Sequence, residues 1–428
     1  MSRHHDDHAR GGGRPGCRGS GRAAATAAAD SPAAPLSPAA AGQITIYSSP
    51  GIHLSARSYT HDYITAGPDG AAWFTNPGNN TIGRISPATG KVTDYRSRSI
   101  ADPWAITSGP DGAVWFTNFG GPSIGRITTT GQVRAFTGAV NGPNAITAGP
   151  GRALWYSNWP AGGKCGWSIG RMTTNGKSTC IKHKGVVYPQ DNTVGPDGAV
   201  WFTIGGADGR HYGIGRITAA GKITIYPLAH YPGSITAGPD GALWFTYPAD
   251  DAIGRITTTG VVTSYYTSPS ISDPYTIAAG PDGALWFINT GNDTIGRITT
   301  SGRISHYAGR LGLGGNGRGA GITAGPDGAM WFTNPVTSTI GRITTSVTPA
   351  ILRKAPRSGA PGTEVTITGR NLSPAIQISF NGTPATIISD SATYVVAIVP
   401  PGATTGRIAV TTPAGTAAAN GWFVVTLG

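Results

Sequence analysis

The sequence predicts an all-β protein: a seven-bladed β-propeller closed by an N-terminal strand, followed by a small Ig-like β-sandwich. The first observation is a repeat, which at residues 64–76 reads Ile-Thr-Ala-Gly-Pro-Asp-Gly-Ala-Ala-Trp-Phe-Thr-Asn and continues at residues 82–85 as Ile-Gly-Arg-Ile. The second is its period of 40–46 residues, which is typical of propeller blades of four strands. The Gly-Pro turns of the repeat begin at Gly67, Gly109, Gly149, Gly195, Gly238, Gly280 and Gly325.

Length and charge limit the classes of function. The 428 residues suit a propeller plus one small domain. The formal charge of +12 does not indicate nucleic-acid binding, because seven of the Lys and Arg residues are the single Arg of each repeat and no basic run flanks an aromatic platform. No run of 18 apolar residues exists, so the sequence predicts no membrane span. We expect a monomer.

Residues 1–41 are predicted to be a disordered tail. They are rich in Arg and Gly and then in Ala, Pro and Ser, without an aromatic side chain to bury. A secretion signal ending near Ala29 is one interpretation, and a wrongly chosen start codon is the other. The histidines at positions 4, 5 and 8 are interpreted as part of a solvated tail, so no metal site is predicted. The expected location is secreted or exposed on the cell envelope.

Residues 42–346 are assigned to the propeller, and each repeat supplies four strands. Residues 44–47 resemble the last strand of the fourth unit, and the seventh unit lacks its own last strand. The N-terminal strand is therefore predicted to complete the last blade, which removes an open sheet edge. The repeated Trp is predicted to pack between blades, and the repeated Arg to pair with the turn Asp. The third unit has Gly151 and Arg152 at that turn and must differ.

The cysteines leave one question open. Cys165 and Cys180 lie in the third unit, and Cys17 lies in the tail. A disulfide between the first two is possible in an oxidising compartment. Hairpin register places Cys180 opposite about Ile169 rather than Cys165, so the bond requires the intervening loop to fold back, and both alternatives stay open.

Residues 347–428 follow a different pattern. Short segments of alternating polarity, such as residues 364–368 and 406–410, are separated by turns containing Gly, Pro and Asn. This pattern is typical of a small Ig-like sandwich. The whole segment resembles an IPT/TIG domain, which implies a binding or spacer module.

The repeat itself resembles the virginiamycin B lyase (streptogramin B lyase) family over residues 42–346. That resemblance implies a seven-bladed propeller that opens a cyclic depsipeptide by elimination across an ester C–O bond, with Mg²⁺ and a histidine base. In that family the His lies two residues before the first strand of a blade (here the pre-strand position). A Glu lies three residues after the repeated Trp (here the strand-end position).

Neither residue type occupies these positions in this chain. The pre-strand positions hold Asp62, Trp104, Asn144, Gln190, Gly233, Tyr275 and Ala320. The strand-end positions hold Asn76, Asn118, Asn158, Ile204, Tyr247, Asn289 and Asn334. Elimination requires a base of suitable pKa and stabilisation of an enolate-like oxygen, and neutral Asn side chains are poor ligands for Mg²⁺.

Two hypotheses about function follow from the residues at the pre-strand and strand-end positions. The first is an extracellular binding protein for a neutral glycan or peptide, because Asn side chains and aromatic rings suit a hydroxyl- or amide-rich ligand; the alternative for the Asn residues is turn capping. The second is a lyase that uses displaced residues, for which His211 and His230 are the candidates, with Mg²⁺ required only in that case. The predicted ligand-binding residues are Asn76, Trp104, Asn118, Asn144, Asn158, Tyr247, Tyr275, Asn289 and Asn334.

Overall fold

The computed structural model describes residues 42–54, 64–161, 163–206, 211–308, 311–313, 319–345, 349–372, 375–391, 393–412 and 415–426. The predicted tail at residues 1–41 and the pre-strand residue Asp62 lie outside the described residues. Within them the secondary structure consists of β-strands and one short 3₁₀ helix, Pro248–Asp250. No helix among them is long and apolar enough to cross a membrane. The predicted all-β class is confirmed.

The first 28 strands form seven four-stranded antiparallel sheets in the described part of the chain. Strand β1 is Ile44–Tyr47. The first sheet is β2 (Ile64–Ala66), β3 (Ala72–Asn76), β4 (Thr81–Ile85) and β5 (Val92–Arg96). The second is β6 (Pro103–Ser108), β7 (Val114–Asn118), β8 (Ser123–Ile127) and β9 (Val133–Phe136). The third is β10 (Pro143–Gly149), β11 (Ala153–Asn158), β12 (Ser168–Thr173) and β13 (Ser178–Ile181).

The remaining four sheets repeat this order. The fourth is β14 (Pro189–Val194), β15 (Val200–Ile204), β16 (Tyr212–Ile217) and β17 (Ile223–Leu228). The fifth is β18 (Ile235–Ala237), β19 (Leu243–Tyr247), β20 (Ala252–Ile256) and β21 (Val262–Thr267). The sixth is β22 (Pro274–Ala279), β23 (Ala284–Asn289), β24 (Thr294–Thr299) and β25 (Ile304–Ala308). The seventh consists of β26 (Ile322–Ala324), β27 (Met330–Asn334), β28 (Thr339–Ile343) and β1, which pairs antiparallel with β28.

The first strands of successive sheets contact one another. Strand β2 contacts β6, and the series continues through β10, β14, β18 and β22 to β26, which in turn contacts β2. The apolar clusters lie between neighbouring sheets, as where Trp73 of one sheet packs with Ile106 and Phe116 of the next. The hydrophobic core is therefore divided into layers between sheets.

The repeated Trp and Arg form the predicted scaffold. All seven Trp side chains are fully buried. In the first sheet the Trp73 indole donates to Asp69 (2.8 Å), and the Arg84 guanidinium donates to the other carboxylate oxygen (2.6 Å). The Tyr95 ring stacks on the same indole at 5.3 Å. The Asp–Arg pair recurs in six sheets: Arg84–Asp69, Arg126–Asp111, Arg216–Asp197, Arg255–Asp240, Arg297–Asp282 and Arg342–Asp327.

The third sheet differs, as predicted from its turn. There the Trp155 indole donates to the carbonyl of Pro150 (3.2 Å) instead of to a carboxylate. Cys165 and Cys180 form a disulfide, with their Cα atoms 5.9 Å apart. Cys180 lies opposite Gly170, one residue from the predicted register. The loop between β11 and β12 therefore folds back onto the outer strand.

The turn carboxylates make the stability of the fold depend on pH in the acidic range. Burial opposes their ionisation, but hydrogen bonds from Trp and Arg outweigh it and lower the pKa of Asp69, Asp111, Asp197 and Asp240 below 3.8. Because the folded pKa is below the unfolded one, the ionised form stabilises the fold above pH 3.8, and this stability is lost as pH falls through the folded pKa. We expect the urea concentration at the unfolding midpoint to decrease as the pH is lowered from about 4 to about 2. This decrease should be smaller in Asp240→Asn. An identical acid profile for the variant would contradict this.

The C-terminal residues form two further four-stranded sheets. Their strands, with the short pair β30 and β38, are β29 (Ala350–Ala355), β30 (Ser358–Gly359), β31 (Glu364–Arg370), β32 (Gln377–Phe380), β33 (Thr383–Ala385), β34 (Ile387–Asp390), β35 (Tyr394–Ile398), β36 (Ile408–Thr412), β37 (Gly415–Ala418) and β38 (Val424–Val425). The order β29–β31–β35–β34 makes one sheet, β33–β32–β36–β37 makes the other, and β30 pairs in parallel with β38. A separate apolar cluster that includes Val365, Phe380 and Phe423 fills the space between them.

Candidate functional site

The pre-strand and strand-end positions lie at the same end of each sheet. In the second sheet, Pro103 at the start of β6 is opposite Asn118 at the end of β7. Pro189 and Ile204 are opposite each other in the fourth sheet in the same way. We call this end of the seven sheets the loop face. It is where the sequence predicts ligand binding, since variable loops on a rigid scaffold hold ligands.

A β-bulge occurs at the pre-strand position in four sheets. In β6, Trp104 and Ala105 both oppose Thr117, because the register shifts between Pro103 and Ile106. The Thr117 hydroxyl accepts the Ala105 N–H and donates to the carbonyl of residue 144 in the next sheet, both at 2.9 Å. Bulges re-aim side chains, and Thr117 fixes the backbone of this pre-strand position. The sequence pattern did not predict these bulges.

The strand-end asparagines make hydrogen bonds to the loop that precedes their own sheet. The Asn118 carbonyl oxygen accepts the Ala101 N–H (3.0 Å), and its amide donates to Ser99 O (2.9 Å) and Ser123 Oγ (3.0 Å). Three other strand-end asparagines make the same pair of bonds, accepting a backbone N–H and donating to a backbone carbonyl. The remaining one, Asn334, donates to Leu311 O. All five are buried, which favours the turn-capping alternative over ligand binding. The four besides Asn118 are Asn76, Asn158, Asn289 and Asn334.

Aromatic rings cover part of the loop face. Trp104 stacks on Phe119 with ring centroids 3.5 Å apart, and Trp159 meets both rings edge-on at 6.2 and 6.0 Å. Trp159 also stacks on Tyr188 (4.5 Å) and donates from its indole to Pro189 O (2.6 Å). This aromatic cluster runs from the second sheet to the fourth. It leaves Trp104 buried, with 5% of its surface exposed.

The cluster continues into an open cleft, here called the tyrosine cleft. Its volume is about 320 Å³. The Tyr231 hydroxyl donates to Gln190 Oε1 (2.6 Å), and the Tyr212 ring meets Tyr231 edge-on at 6.0 Å. Tyr275 was predicted as a ligand residue and lines the cleft. The lining residues are Tyr188, Gln190, Tyr231, Pro248, Ala249, Asp273 and Tyr275.

Sequence reasoning missed most of this lining. Gln190 occupies a pre-strand position but is not among the predicted ligand-binding residues. Tyr188 and Tyr231 each precede a Pro in the loop that leads into a blade. That shared Tyr-Pro pair was the available signal. The predicted residue Asn144 is buried beside the cleft, and its amide donates to Gln190 O (3.4 Å).

A buried carboxylate supports the cleft from below. Asp191 has 1% of its surface exposed. One of its oxygens accepts the Ser234 hydroxyl (2.6 Å) and the Ile235 N–H (2.9 Å), and the other accepts the Asn192 N–H (2.8 Å). Asp191 follows Gln190 directly, so it anchors the bulge from which the Gln190 side chain enters the cleft.

The candidate catalytic histidines lie beside the cleft but do not line it. His230 Nδ1 is 3.0 Å from Asp250 Oδ2, and the His230 ring meets Tyr247 edge-on at 6.3 Å. Burial, reinforced by the charges of Tyr265 and Asp250, raises the pKa of Tyr247 to about 12. His211 is exposed and directly precedes Tyr212. The predicted ligand residue Tyr247 therefore groups with His230 rather than with the cleft.

The described residues do not fit a Mg²⁺ site. No group of three or more His, Cys, Asp or Glu side chains among them could hold a metal ion. The strand-end side chains are neutral, and the amides of all five asparagines donate to backbone carbonyls, whereas Mg²⁺ prefers carboxylates and water. No catalytic step is therefore derived through this ion.

Comparison with known proteins agrees with the repeat and with the fold. The model of the virginiamycin B lyase family matches residues 39–230, 141–310 and 183–368, and the IPT/TIG domain model matches residues 349–426. A streptogramin B lyase structure is 32% identical, with a TM-score of 0.60, covering 71% of this chain and 98% of its own. A search of curated proteins gives no match.

Two further solved structures are similar. One is a catalytically inactive histidine-to-alanine variant of virginiamycin B lyase from Staphylococcus aureus with quinupristin, which is 31% identical with a TM-score of 0.60 and covers 71% of this chain and 99% of its own. The other is hydrazine synthase from Kuenenia stuttgartiensis, 17% identical with a TM-score of 0.56, covering 70% and 100%, which shares the fold alone. The chain belongs to the virginiamycin B lyase family and carries a C-terminal IPT/TIG domain.

Proposed function

We propose that this chain is a secreted or envelope-exposed binding protein whose tyrosine cleft takes a neutral glycan or peptide. In this proposal residues 42–346 form one closed seven-bladed propeller, residues 347–428 form the second domain, and the protein is a monomer. The cyclic series of contacts from β2 to β26 and back, together with the pairing of β1 with β28, supports the closed ring. The disulfide between Cys165 and Cys180 supports an oxidising location.

The observation that carries the binding proposal is the lining of the tyrosine cleft. Ligand sites are typically concave, with aromatic walls and a few polar groups that orient the ligand. Here Tyr188 and Tyr275 supply ring surfaces, and Gln190 supplies an amide whose oxygen already accepts the Tyr231 hydroxyl. The stacking of Trp159 on Tyr188 holds one wall in place before a ligand arrives, which lowers the entropic cost of binding.

The residues found at the positions of the family's catalytic groups argue against an elimination reaction. The pre-strand positions hold no His and the strand-end positions hold no Glu. Five of the strand-end residues are Asn, and the amide of each donates to a backbone carbonyl of the chain. A binding surface can persist on a fold after its catalytic groups have changed. The tyrosine cleft is therefore proposed to bind a ligand without breaking a bond in it.

A second candidate is a lyase with displaced residues. The observation that favours it is the contact between His230 and Asp250 at 3.0 Å, because a carboxylate on one ring nitrogen orients a histidine to act as a base through the other. His230 is 59% exposed in its side chain, so its ring can be reached from solvent.

One experiment separates the two candidates. We incubate the protein with quinupristin and Mg²⁺ and follow ring opening by mass spectrometry, and we measure binding of quinupristin and of neutral oligosaccharides by calorimetry. We expect intact quinupristin, and at least one ligand whose affinity falls about tenfold or more in Tyr231→Ala and Tyr275→Ala. The matched control is Tyr394→Ala, since Tyr394 lies on the second domain and is 42% exposed.

The outcomes are distinct. Turnover of quinupristin that is lost in His230→Ala would establish the lyase and overturn the binding-only proposal. Binding of a ligand with equal affinity in the wild type and in both tyrosine variants would remove the tyrosine cleft as the site. Absence of binding to every probe would contradict the ligand class.

A further inference from the structure

A second cleft lies on the C-terminal domain and has no part in the proposed function. Its volume is about 190 Å³, and it is bounded by β29, Arg357 and the turn at residues 419–422. Two large apolar side chains at this cleft face solvent: Trp422 is 68% exposed and Leu352 is 64% exposed. An exposed Trp beside an exposed Leu indicates a contact surface, because such apolar area is otherwise withdrawn from water.

A bulge in β29 arranges the cleft's side chains. The register with β31 shifts between Ile351 and Arg353. As a result Leu352 and Arg353, although neighbours in sequence, are both exposed, while Lys354 turns inward. Bulges commonly re-aim side chains in this way. The bulge therefore places an apolar and a cationic group side by side at the cleft.

Lys354 holds the turn that carries the tryptophan. Its ammonium donates to the carbonyls of Asn420 (2.9 Å) and Gly421 (3.0 Å), and its side chain is largely buried. Burial and the charge of Arg357 lower the pKa of this lysine. The turn is thus clamped from inside, so Trp422 is presented on a fixed support, which reduces the ordering cost of binding.

The charge of the cleft is uncompensated within the described residues. Arg353, Lys354 and Arg357 all line it, and none of them has a carboxylate partner in that part of the chain. Trp and Arg are the residues most enriched in the energetic centres of protein interfaces. Guanidinium groups bind carboxylates with two parallel hydrogen bonds.

We propose that this cleft binds an acidic segment of another protein, with carboxylates on Arg353 and Arg357 and an apolar side chain between Leu352 and Trp422. A peptide fits better than a neutral sugar, because the side chains lining the cleft offer cationic donors and, apart from Asn420, no neutral amide or hydroxyl to orient sugar hydroxyls. The site is independent of the tyrosine cleft, so either proposal can fail without the other.

The test uses the full chain and a fluorescein-labelled peptide that alternates glutamate with leucine. We expect saturable binding by fluorescence anisotropy that weakens as salt is raised. Affinity should fall about tenfold or more in the double variant Arg353→Glu/Arg357→Glu, and about fivefold or more in Trp422→Ala. Arg407→Glu, on an exposed arginine of the same domain, is the matched control and should change the affinity by less than about twofold.

Each remaining outcome counts against the proposal. Equal binding of a peptide with lysine in place of glutamate, or equal affinity in the wild type and the double variant, would overturn it. The proposal would also be overturned if the protein did not bind the acidic peptide but bound anionic phospholipid vesicles or oligogalacturonate saturably, and if the same variants weakened that binding. Thermal melting of each variant confirms that the fold is intact, since the substituted side chains are exposed.

Discussion

Replacement of Gly125 by alanine is expected to destabilise the protein by about 3 kcal/mol, at the upper end for overpacking a core. Gly125 in β8 lies opposite Phe116 in β7, and an added Cβ would overlap the Phe116 ring. That ring is fully buried and packs with Trp73 and Ile106 of the interface between the first two sheets. Because these neighbours enclose the ring and protein interiors are close-packed, the sheets must separate or the strand must shift.

Urea denaturation of the variant checks this result. Gly121→Ala is the matched control, because the nearest atom to an added Cβ there is the Ala101 methyl at 3.5 Å, an ordinary contact. A second substitution tests the cause: Phe116→Leu should restore part of the stability lost in Gly125→Ala, since the two side chains would no longer overlap. Equal midpoints for Gly125→Ala and Gly121→Ala would contradict the steric argument.

The same overlap explains why glycine recurs at the second position of Ile-Gly-Arg-Ile, which the sequence pattern alone does not explain. Every unit has Gly second in Ile-Gly-Arg-Ile or its variant, and each of these glycines faces the aromatic ring of the preceding strand. The pattern predicted the strand but not the need for glycine, because that need depends on cross-strand register, which a single chain does not display. The glycines are Gly83, Gly125, Gly170, Gly215, Gly254, Gly296 and Gly341.

Repetition is what made the scaffold predictable. A Trp, an Asp and an Arg that recur together in six units must satisfy one another locally, and the contacts among Trp73, Asp69 and Arg84 confirm it. The exception at Arg152 was equally visible. The strand-end asparagines were ambiguous for the opposite reason. An amide suits both a ligand and a backbone, and the capping role is visible only in the bonds that residues such as Asn118 make to the preceding loop.

The tyrosine cleft was the least predictable part. Its walls come from loops that differ between units, and the Tyr-Pro pair shared by two of these loops is the one recurrence that marks Tyr188 and Tyr231. The pre-strand residues Gln190 and Tyr275 reach it because bulges turn them toward it, and a bulge is not visible in alternating polarity. Sequence reasoning therefore predicted a site at the loop face, and of the aromatic residues that line the cleft it named Tyr275 alone.

Substitution of Asp191 is expected to have the other large effect on the fold. Asp191→Ala leaves the Ser234 hydroxyl and the N–H groups of Asn192 and Ile235 buried without their acceptor. Each unsatisfied buried donor costs about 1–3 kcal/mol, so we expect a loss of about 3 kcal/mol or more after local relaxation. Urea denaturation monitored by tryptophan fluorescence measures it, and Glu364→Ala, at an exposed carboxylate in β31, is the matched control.

The double variant Asp191→Ala/Ser234→Ala isolates the pair. Removing both partners should cost less than the sum of the single losses, because the hydroxyl that Asp191→Ala orphans is then absent. The consequence extends to the tyrosine cleft. Asp191 links the bulge of the fourth sheet to the start of β18, and Gln190 projects from that bulge to accept the Tyr231 hydroxyl. If Asp191→Ala loses ligand affinity in proportion to its loss of stability, this carboxylate positions the cleft. If the stability losses of the two single variants are additive and ligand binding is unchanged, Asp191 supports neither the pair nor the site.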